Sequence, residues 1–89
     1  MQAVVISKPG SPDVLKVEEF PDPTITKNEV LIKVVGAGVN RADLLQRRGM
    51  YPSPEGFRDE IPGLEVSGII VQLGENVPKE WQEGQKVMA

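Results

Sequence analysis

The sequence predicts a mainly β domain, a small antiparallel barrel or sandwich with a single short helix. Short β-prone runs are separated by glycine- and proline-rich turns, and only one segment has helix start and stop signals. The chain contains no internal repeat. Its 89 residues suffice for one domain, and its 39% hydrophobic and 26% charged residues are typical of a globular protein.

The first half of the chain contains two short predicted strands and one long one. Residues 3–6 form a compact β-prone run that ends at a turn over residues 8–13. Residues 14–20 alternate in the way a half-buried strand does. Residues 29–39 are the strongest predicted strand. Because Lys33 is the only polar residue at the centre of this strand, we expect both of its faces to be covered.

A short helix is predicted to begin after Asn40 and to end at Gly49. Asparagine is a favourable N-cap, and Asp43 places a carboxylate in the first turn, where the positive end of the helix dipole stabilises it. Glycine can take the positive φ that commonly ends a helix. A helix of two turns is marginal alone, so packing must hold it.

The sides of this helix are expected to divide into an apolar stripe and a solvated face. Leu44 and Leu45 supply the stripe. Arg47 and Arg48 lie in the last turn, where cations are favoured, and we expect both to be solvated. A contact between these arginines and a cofactor phosphate is the alternative.

The second half of the chain is predicted to be a long loop followed by two strands. Residues 50–62 contain three prolines and one glycine, and at this length irregular loops tend to be functional or mobile. Residues 64–73 form a predicted strand in which Gly68 marks a bulge or a close approach. Residues 74–79 are a predicted turn, and residues 85–88 begin another strand.

The composition excludes several classes of function. There is no cysteine and no histidine, so disulfides, thiolate or imidazole catalysis and the usual zinc ligands are all missing. The ten lysines and arginines are scattered and the net charge is -3, which argues against nucleic acid as a partner. No apolar run reaches the roughly 18 residues that span a bilayer, so we expect no membrane partner and a cytoplasmic location.

Four motifs occur in a familiar order along the chain. They are K-P-G-x-P-x-V-L-x-V, E-V-L-I-K-V, N-R-A-D-L-L-Q-R-x-G-x-Y and G-L-E-V-S-G-x-I-x-x-L-G-x-x-V. Together they resemble the N-terminal, GroES-like half of medium-chain dehydrogenases/reductases. The likeness is to the zinc-free quinone oxidoreductase branch, including the p53-inducible quinone oxidoreductase-like proteins.

This resemblance implies a GroES-like, partly open β-barrel over residues 1–89, truncated at its C-terminal edge. The family's other half is a Rossmann domain with a glycine-rich turn between a strand and a helix. We expect that domain to be absent, because residues 36–40 have two glycines but lack the third, and the helix that follows is short.

The resemblance also implies where a site would lie. Zinc-dependent members of the superfamily place a Cys and a His at the positions that Asn40 and Leu64 occupy here, so catalytic zinc binding is expected to be lost. It implies that Asn40, Asp43 and Tyr51 face the cleft that holds the nicotinamide of NADPH and the quinone. Asn40 would hydrogen-bond the carboxamide or the quinone oxygen, and Tyr51 would stack on the acceptor or orient it. No catalytic residue is expected, since hydride transfer is cofactor chemistry.

Simpler interpretations of the same residues remain open. Asn40 and Asp43 also suit a plain capped helix, and Tyr51 suits a loop anchor.

Two functions follow from the resemblance. The first is the substrate-side domain of an NADPH-dependent quinone oxidoreductase, inactive as an isolated chain because the cofactor-binding half is missing. The alternative is a non-enzymatic module that pairs with itself, a full-length relative or another protein through its unfinished barrel edge. The identity of the quinone or enone, the choice of NADPH over NADH, and the oligomeric state are left open.

Overall fold

The structure, a computed structural model, describes residues 1–89, and its regular elements are almost all strands. They are β1 (Gln2–Ile6), β2 (Leu15–Glu19), β3 (Val30–Ala37), α1 (Arg41–Arg47), β4 (Val66–Leu73) and β5 (Lys86–Met88), with a 3-10 helix at Pro12–Val14. Each strand begins and ends within two residues of its predicted bounds. The mainly β prediction with one short α-helix is confirmed, and α1 is too short to cross a lipid bilayer.

The strands form two open antiparallel sheets, one of β1 and β2 and one in the order β3-β4-β5. The chain divides into two compact units that are interleaved in sequence. Unit 1 comprises Met1–Pro21 and Val39–Leu64, and unit 2 comprises Asp22–Gly38 and Glu65–Ala89.

Unit 1 is built on the β1–β2 pair and a small apolar core. Val5, Ile6 and Val14 are buried there. The Val14 carbonyl accepts the Ser7 N–H at 3.1 Å and the Ser7 hydroxyl at 2.9 Å, which fixes the turn between the strands. At the end of β1 the Ile6 N–H donates to the Glu60 carbonyl at 2.7 Å. The end of the long loop is therefore hydrogen-bonded to β1.

The helix α1 is joined to the turn after β1 by a reciprocal pair of bonds. Nε–H of Arg47 donates to the Gly10 carbonyl at 3.0 Å, and the Gly10 N–H donates to the Arg47 carbonyl at 2.9 Å. We call this pair the Gly10–Arg47 clamp. Arg47 is only 9% exposed, so the prediction that it is solvated was wrong, whereas Arg48 is exposed as predicted. The buried face of α1 carries Asp43 and Arg47, four residues apart, while Leu44 is exposed.

Unit 2 is the three-stranded sheet with Ile70 at its centre, 2% exposed. Gly68 on β4 is buried opposite β3, and a Cβ added to it would clash with the Lys33 carbonyl and with the Ile32 side chain. The predicted close approach at Gly68 is confirmed. The pairing of β3 with β4 has two irregularities, between Leu31 and Ile32 and between Val34 and Gly36.

The prediction that both faces of β3 are covered was wrong. Val35 is 75% exposed, and its neighbour Val34 is exposed as well. Both residues lie on a strand that has only one partner, because β3 is an edge of the three-stranded sheet. A nearly continuous apolar run usually indicates a strand buried on both faces, but here the sheet ends at that run.

Candidate functional site

The start of α1 is fixed by two bonds between Asn40 and Asp43. The Asn40 N–H donates to Oδ2 of Asp43 at 2.7 Å, and the Asp43 N–H donates to the Asn40 carbonyl at 3.0 Å. Asn40 has the extended backbone of an N-cap, with φ -121° and ψ 167°, so the predicted cap is confirmed. The side-chain NH2 of Asn40 has no hydrogen-bond partner within the chain, and the residue is half-buried.

Asp43 is only 9% exposed, which is an unusual degree of burial for a carboxylate in the first turn of a short helix. One carboxylate oxygen is bonded to Asn40, but Oδ1 is buried without a hydrogen-bond partner. A buried acceptor without a partner costs roughly 1–3 kcal/mol, more when it is charged. The first turn of α1 therefore contains a buried acceptor that no donor of the chain satisfies.

The end of α1 leads directly to Tyr51. Gly49 has the predicted positive φ, 79°. Its N–H donates to the Gln46 carbonyl at 2.9 Å, and the Met50 N–H donates to the Leu45 carbonyl at 2.8 Å. Tyr51 follows, 44% exposed, with a hydroxyl that has no hydrogen-bond partner within the chain. The helix thus delivers a tyrosine with a free hydroxyl to the start of the loop.

The loop over residues 50–62 is irregular, as predicted, but it is held by side chains. Nε2 of Gln46 donates to the Asp59 carbonyl at 2.9 Å and to the Ser53 hydroxyl at 3.4 Å. The Ser53 N–H donates to Oδ1 of Asp59 at 2.6 Å, and the Ser53 hydroxyl donates to the Arg58 carbonyl at 3.1 Å. One helix residue and one loop residue therefore tie both arms of the loop together.

The helix end and this loop enclose an open groove of about 410 Å³ in unit 1. We call it the aromatic groove; it is lined by Gln46, Tyr51, Ser53, Pro54, Phe57, Arg58, Ile61, Gly63 and Leu64. Its volume lies within the ~300–1,000 Å³ range of small-molecule sites. Tyr51 and Leu64, both singled out by the family resemblance, line the same groove. Asn40 and Asp43 do not line it.

Phe57 and Gln46 are lining residues that the sequence analysis did not identify. Phe57 is 74% exposed although it is a large apolar side chain. An aromatic residue in a loop otherwise rich in proline and charge was the available signal, since exposed aromatic residues often mark recognition surfaces. Gln46 had no such signal, because its role depends on the path of the loop.

Arg58 is the one cation that lines the aromatic groove, and it is paired with a carboxylate. Nη1 of Arg58 forms an ion pair with Oε1 of Glu60 at 3.0 Å. The Arg58 guanidinium also lies over the ring of Phe20, 5.1 Å from its centroid. The groove is therefore close to neutral.

Unit 2 contains a separate apolar groove of about 670 Å³. Trp81, the only tryptophan of the chain, lines it together with Val30, Ile70 and Val77. Met88 at its rim is exposed. Trp81 is 43% exposed, so its ring is only partly covered.

Comparisons with known proteins identify the family. The model of the alcohol dehydrogenase GroES-like domain matches residues 26–89. The chain is 39% identical over 90 residues to the chloroplastic NADPH-dependent alkenal/one oxidoreductase of Arabidopsis thaliana. This match covers all of the chain and 23% of the Arabidopsis protein. It is 38% identical over 88 residues to the quinone oxidoreductase of Lama guanicoe, covering 98% of the chain and 26% of that protein.

A solved structure supports the same family assignment. A mycobacterial protein complexed with NADPH superposes with a TM-score of 0.83 at 31% identity, over all of the chain and 27% of that protein. The chain therefore spans about a quarter of the length of the relatives that it matches.

Proposed function

This chain belongs to the alcohol dehydrogenase GroES-like domain family, and we propose that it is the substrate-side domain of an NADPH-dependent oxidoreductase that reduces quinones or enones. The support is that its relatives include an NADPH-dependent alkenal/one oxidoreductase and a quinone oxidoreductase. When bound, NADPH supplies the hydride that, with a proton from solvent, converts a quinone to a hydroquinone or an enone to a saturated ketone and leaves NADP⁺.

The residues at the start of α1 fit the nicotinamide end of the cofactor. The Asn40 side chain carries an NH2 donor without a partner, and a carboxamide or quinone oxygen is a suitable acceptor for it. Oδ2 of Asp43 accepts the Asn40 N–H at 2.7 Å, which holds the backbone of Asn40 at the start of the helix. The Asn40 amide, held at a fixed helix start, is the observation that carries the proposal.

The diphosphate end of the cofactor has no matching site in this chain. A dinucleotide is held by a glycine-rich turn at the start of a helix, whereas α1 has seven residues and is preceded by an ordinary N-cap. We therefore propose that the isolated chain does not bind NADPH tightly and is inactive without a Rossmann-type partner domain.

Asn40 and Leu64, the positions at which zinc-dependent members of the superfamily place ligands, do not fit a zinc ion. An amide and an alkyl side chain replace the thiolate and imidazole that zinc prefers. The structure also brings together no group of three acidic, histidine or cysteine side chains. No step of the proposed reaction uses a metal.

A chimeric protein, which we call the graft, tests the proposed function. We expect this chain, joined to the remainder of the Lama guanicoe quinone oxidoreductase in place of its matching N-terminal segment, to consume NADPH when a quinone is added. In that graft, Asn40→Leu should lower kcat/KM about tenfold, the effect of losing roughly 1.4 kcal/mol of hydrogen bonding to the reacting complex. Absorbance of NADPH measures the rate.

Asn28→Leu is the matched control, since Asn28 is exposed and lies in unit 2. It should leave kcat/KM unchanged. A folded graft that consumes no NADPH would contradict the proposed function, and equal rates for both variants would contradict the role of Asn40.

A second function is favoured by the uncovered edge of unit 2. The edge strand β3 leaves Val34 and Val35 exposed, and Met88 on the other edge strand is exposed too. Unpaired apolar edges promote strand pairing between molecules. A non-enzymatic module could use this edge to pair with a second copy, a longer relative or another protein.

We expect Val35→Lys to weaken self-association of the chain about tenfold, because a charge on an edge strand opposes pairing. Sedimentation velocity over a range of concentrations measures the association. Met50→Lys is the control, as Met50 is also an exposed apolar residue, 67% exposed against 75% for Val35, but belongs to unit 1. A chain that stays monomeric at every concentration would remove support for this second function.

A further inference from the structure

The strand β5 is an edge of the three-stranded sheet of unit 2, so one of its sides has no partner strand. On its inner side, the Val66 N–H donates to the Ala89 carbonyl at 2.8 Å, and the Ala89 N–H donates to the Val66 carbonyl at 2.9 Å. Alternate residues of an antiparallel strand direct their backbone groups to opposite sides. The N–H and C=O groups of Lys86 and Met88 therefore point away from β4 and are open to another strand.

The register of the sheet determines what an added strand would meet on each face. Lys86 lies opposite Ile69, and Ile69 lies opposite Lys33 of β3, so these three side chains share one face, which we call the lysine face. The neighbouring Val87 points to the other face, and it lines the apolar groove of unit 2 together with Trp81. An added strand would therefore have lysine beside it on one face and an apolar groove on the other.

The charge of the lysine face is not compensated within the chain. Lys33 and Lys86 are both exposed, and neither forms an ion pair. By contrast, Lys27 of the same unit is paired with Glu75 at 3.0 Å. Two copies joined through β5 would place their Lys86 side chains on neighbouring strands, and like charges facing each other across strands are destabilising. The open side of β5 therefore suits a strand of different sequence, with a carboxylate opposite Lys86.

From these observations we propose that β5 binds an extended segment of another protein, which adds to the sheet as a fourth, antiparallel strand and alternates apolar with acidic side chains. Its acidic residue lies opposite Lys86 on the lysine face, and the adjacent aliphatic residue packs beside Val87 at the apolar groove. This inference rests on the second function proposed above, since it names the partner that the uncovered edge of unit 2 would take.

A pair of synthetic peptides tests the inference. The probe is the capped peptide Ac-Thr-Val-Glu-Val-Thr-NH2, called the Glu peptide, and the Lys peptide has lysine in place of its glutamate. Each is titrated against the isotope-labelled chain, and the NMR shifts of the Lys86 and Met88 amides are the readout. We expect the Glu peptide to bind about fivefold more tightly than the Lys peptide, because only the Glu peptide forms a favourable cross-strand charge pair.

Reversing the charge on β5 should reverse this preference. We expect Lys86→Glu to weaken the Glu peptide about fivefold and to strengthen the Lys peptide about fivefold. Lys79→Glu is the matched control, because Lys79 is an exposed lysine of unit 2 that lies outside the strands. It makes the same change in net charge and should alter both affinities less than about twofold.

A methylated peptide separates strand addition from simple charge attraction. In an antiparallel pair the N–H of the glutamate would donate to the Lys86 carbonyl. A Glu peptide that carries an N-methyl group on this residue cannot donate that bond, and we expect it to bind at least about tenfold more weakly. Equal binding of the methylated and unmethylated peptides would overturn the proposed strand addition.

The inference is also overturned if the Glu peptide does not shift the Lys86 and Met88 amides, if both peptides bind equally, or if Lys79→Glu acts as strongly as Lys86→Glu. Sedimentation of the same samples distinguishes this failure from failure of the second function. A chain that self-associates but does not bind the Glu peptide keeps the second function and loses the inference. A chain that stays monomeric and binds the Glu peptide loses the support that self-association would give, while the inference stands.

Discussion

Gly68→Ala is expected to lower the free energy of unfolding by about 3 kcal/mol. The new methyl group would meet the Lys33 carbonyl and the Ile32 side chain, and the carbonyl belongs to the paired backbone of β3. Relief therefore requires that β3 and β4 of unit 2 separate locally. A domain of ordinary stability has only ~5–15 kcal/mol in total, so this loss is a large share.

Urea unfolding followed by the fluorescence of Trp81 measures this change, since Trp81 lies in unit 2. Gly36→Ala is the control, because Gly36 is also on a paired strand, but its added methyl would meet only the Ser67 hydroxyl, at 3.2 Å. That hydroxyl can rotate away. Equal midpoints for the two variants would show that the close approach at Gly68 is not what limits this position.

Arg47→Met should destabilise unit 1 by about 2 kcal/mol, the cost of removing a hydrogen bond made by a charged donor in a buried place. Methionine keeps most of the apolar stem of arginine, so the change isolates the bond from Nε–H to the Gly10 carbonyl at 3.0 Å. The Gly10 carbonyl would lose its donor, and one half of the Gly10–Arg47 clamp would be gone.

Its neighbour provides the control. Arg48 is exposed and has no bond to the turn, so Arg48→Met should change stability by less than about 0.5 kcal/mol. Hydrogen exchange of the Gly10 amide reads the clamp directly, because this N–H donates to the Arg47 carbonyl. If Arg47→Met leaves both stability and this exchange rate unchanged, the clamp contributes nothing measurable.

Local signals in the sequence located the regular elements well. The helix begins after Asn40 and ends before Gly49 because an N-cap side chain and a glycine with positive φ are requirements of the backbone itself. Glycine and proline likewise located the strand ends, because they too impose requirements on the local backbone. These signals act over a few residues and need no knowledge of the packing.

The buried face of α1 could not be located in this way. Helical spacing offered Leu44 and Leu45 as the packed stripe, but the structure buries Asp43 and Arg47. The reason is Gly10, which is far from Arg47 in sequence and supplies the carbonyl that makes burial of the arginine favourable. Likewise, the apolar pattern of β3 cannot indicate that the sheet ends at this strand.

The candidate site was predictable only in part. Family resemblance singled out Tyr51 and Leu64, and the structure brings these two together in the aromatic groove. The cleft roles of Asn40, Asp43 and Tyr51 remain predictions. Phe57 and Gln46 enter the groove through the path of a loop held by side-chain bonds, and periodicity carries no information about such a path.

The interleaving of the two units has a consequence for the order in which the chain can fold during its synthesis. Unit 1 has all of its residues once Leu64 has emerged, whereas unit 2 must wait for the last strand, Lys86–Met88. The partner of β3 within unit 2, β4, is complete only once Leu73 has been made. The strand β3 therefore lacks its partner for the whole time in which residues 39–64 are made, and a chaperone that binds apolar segments would find it unpaired during that time.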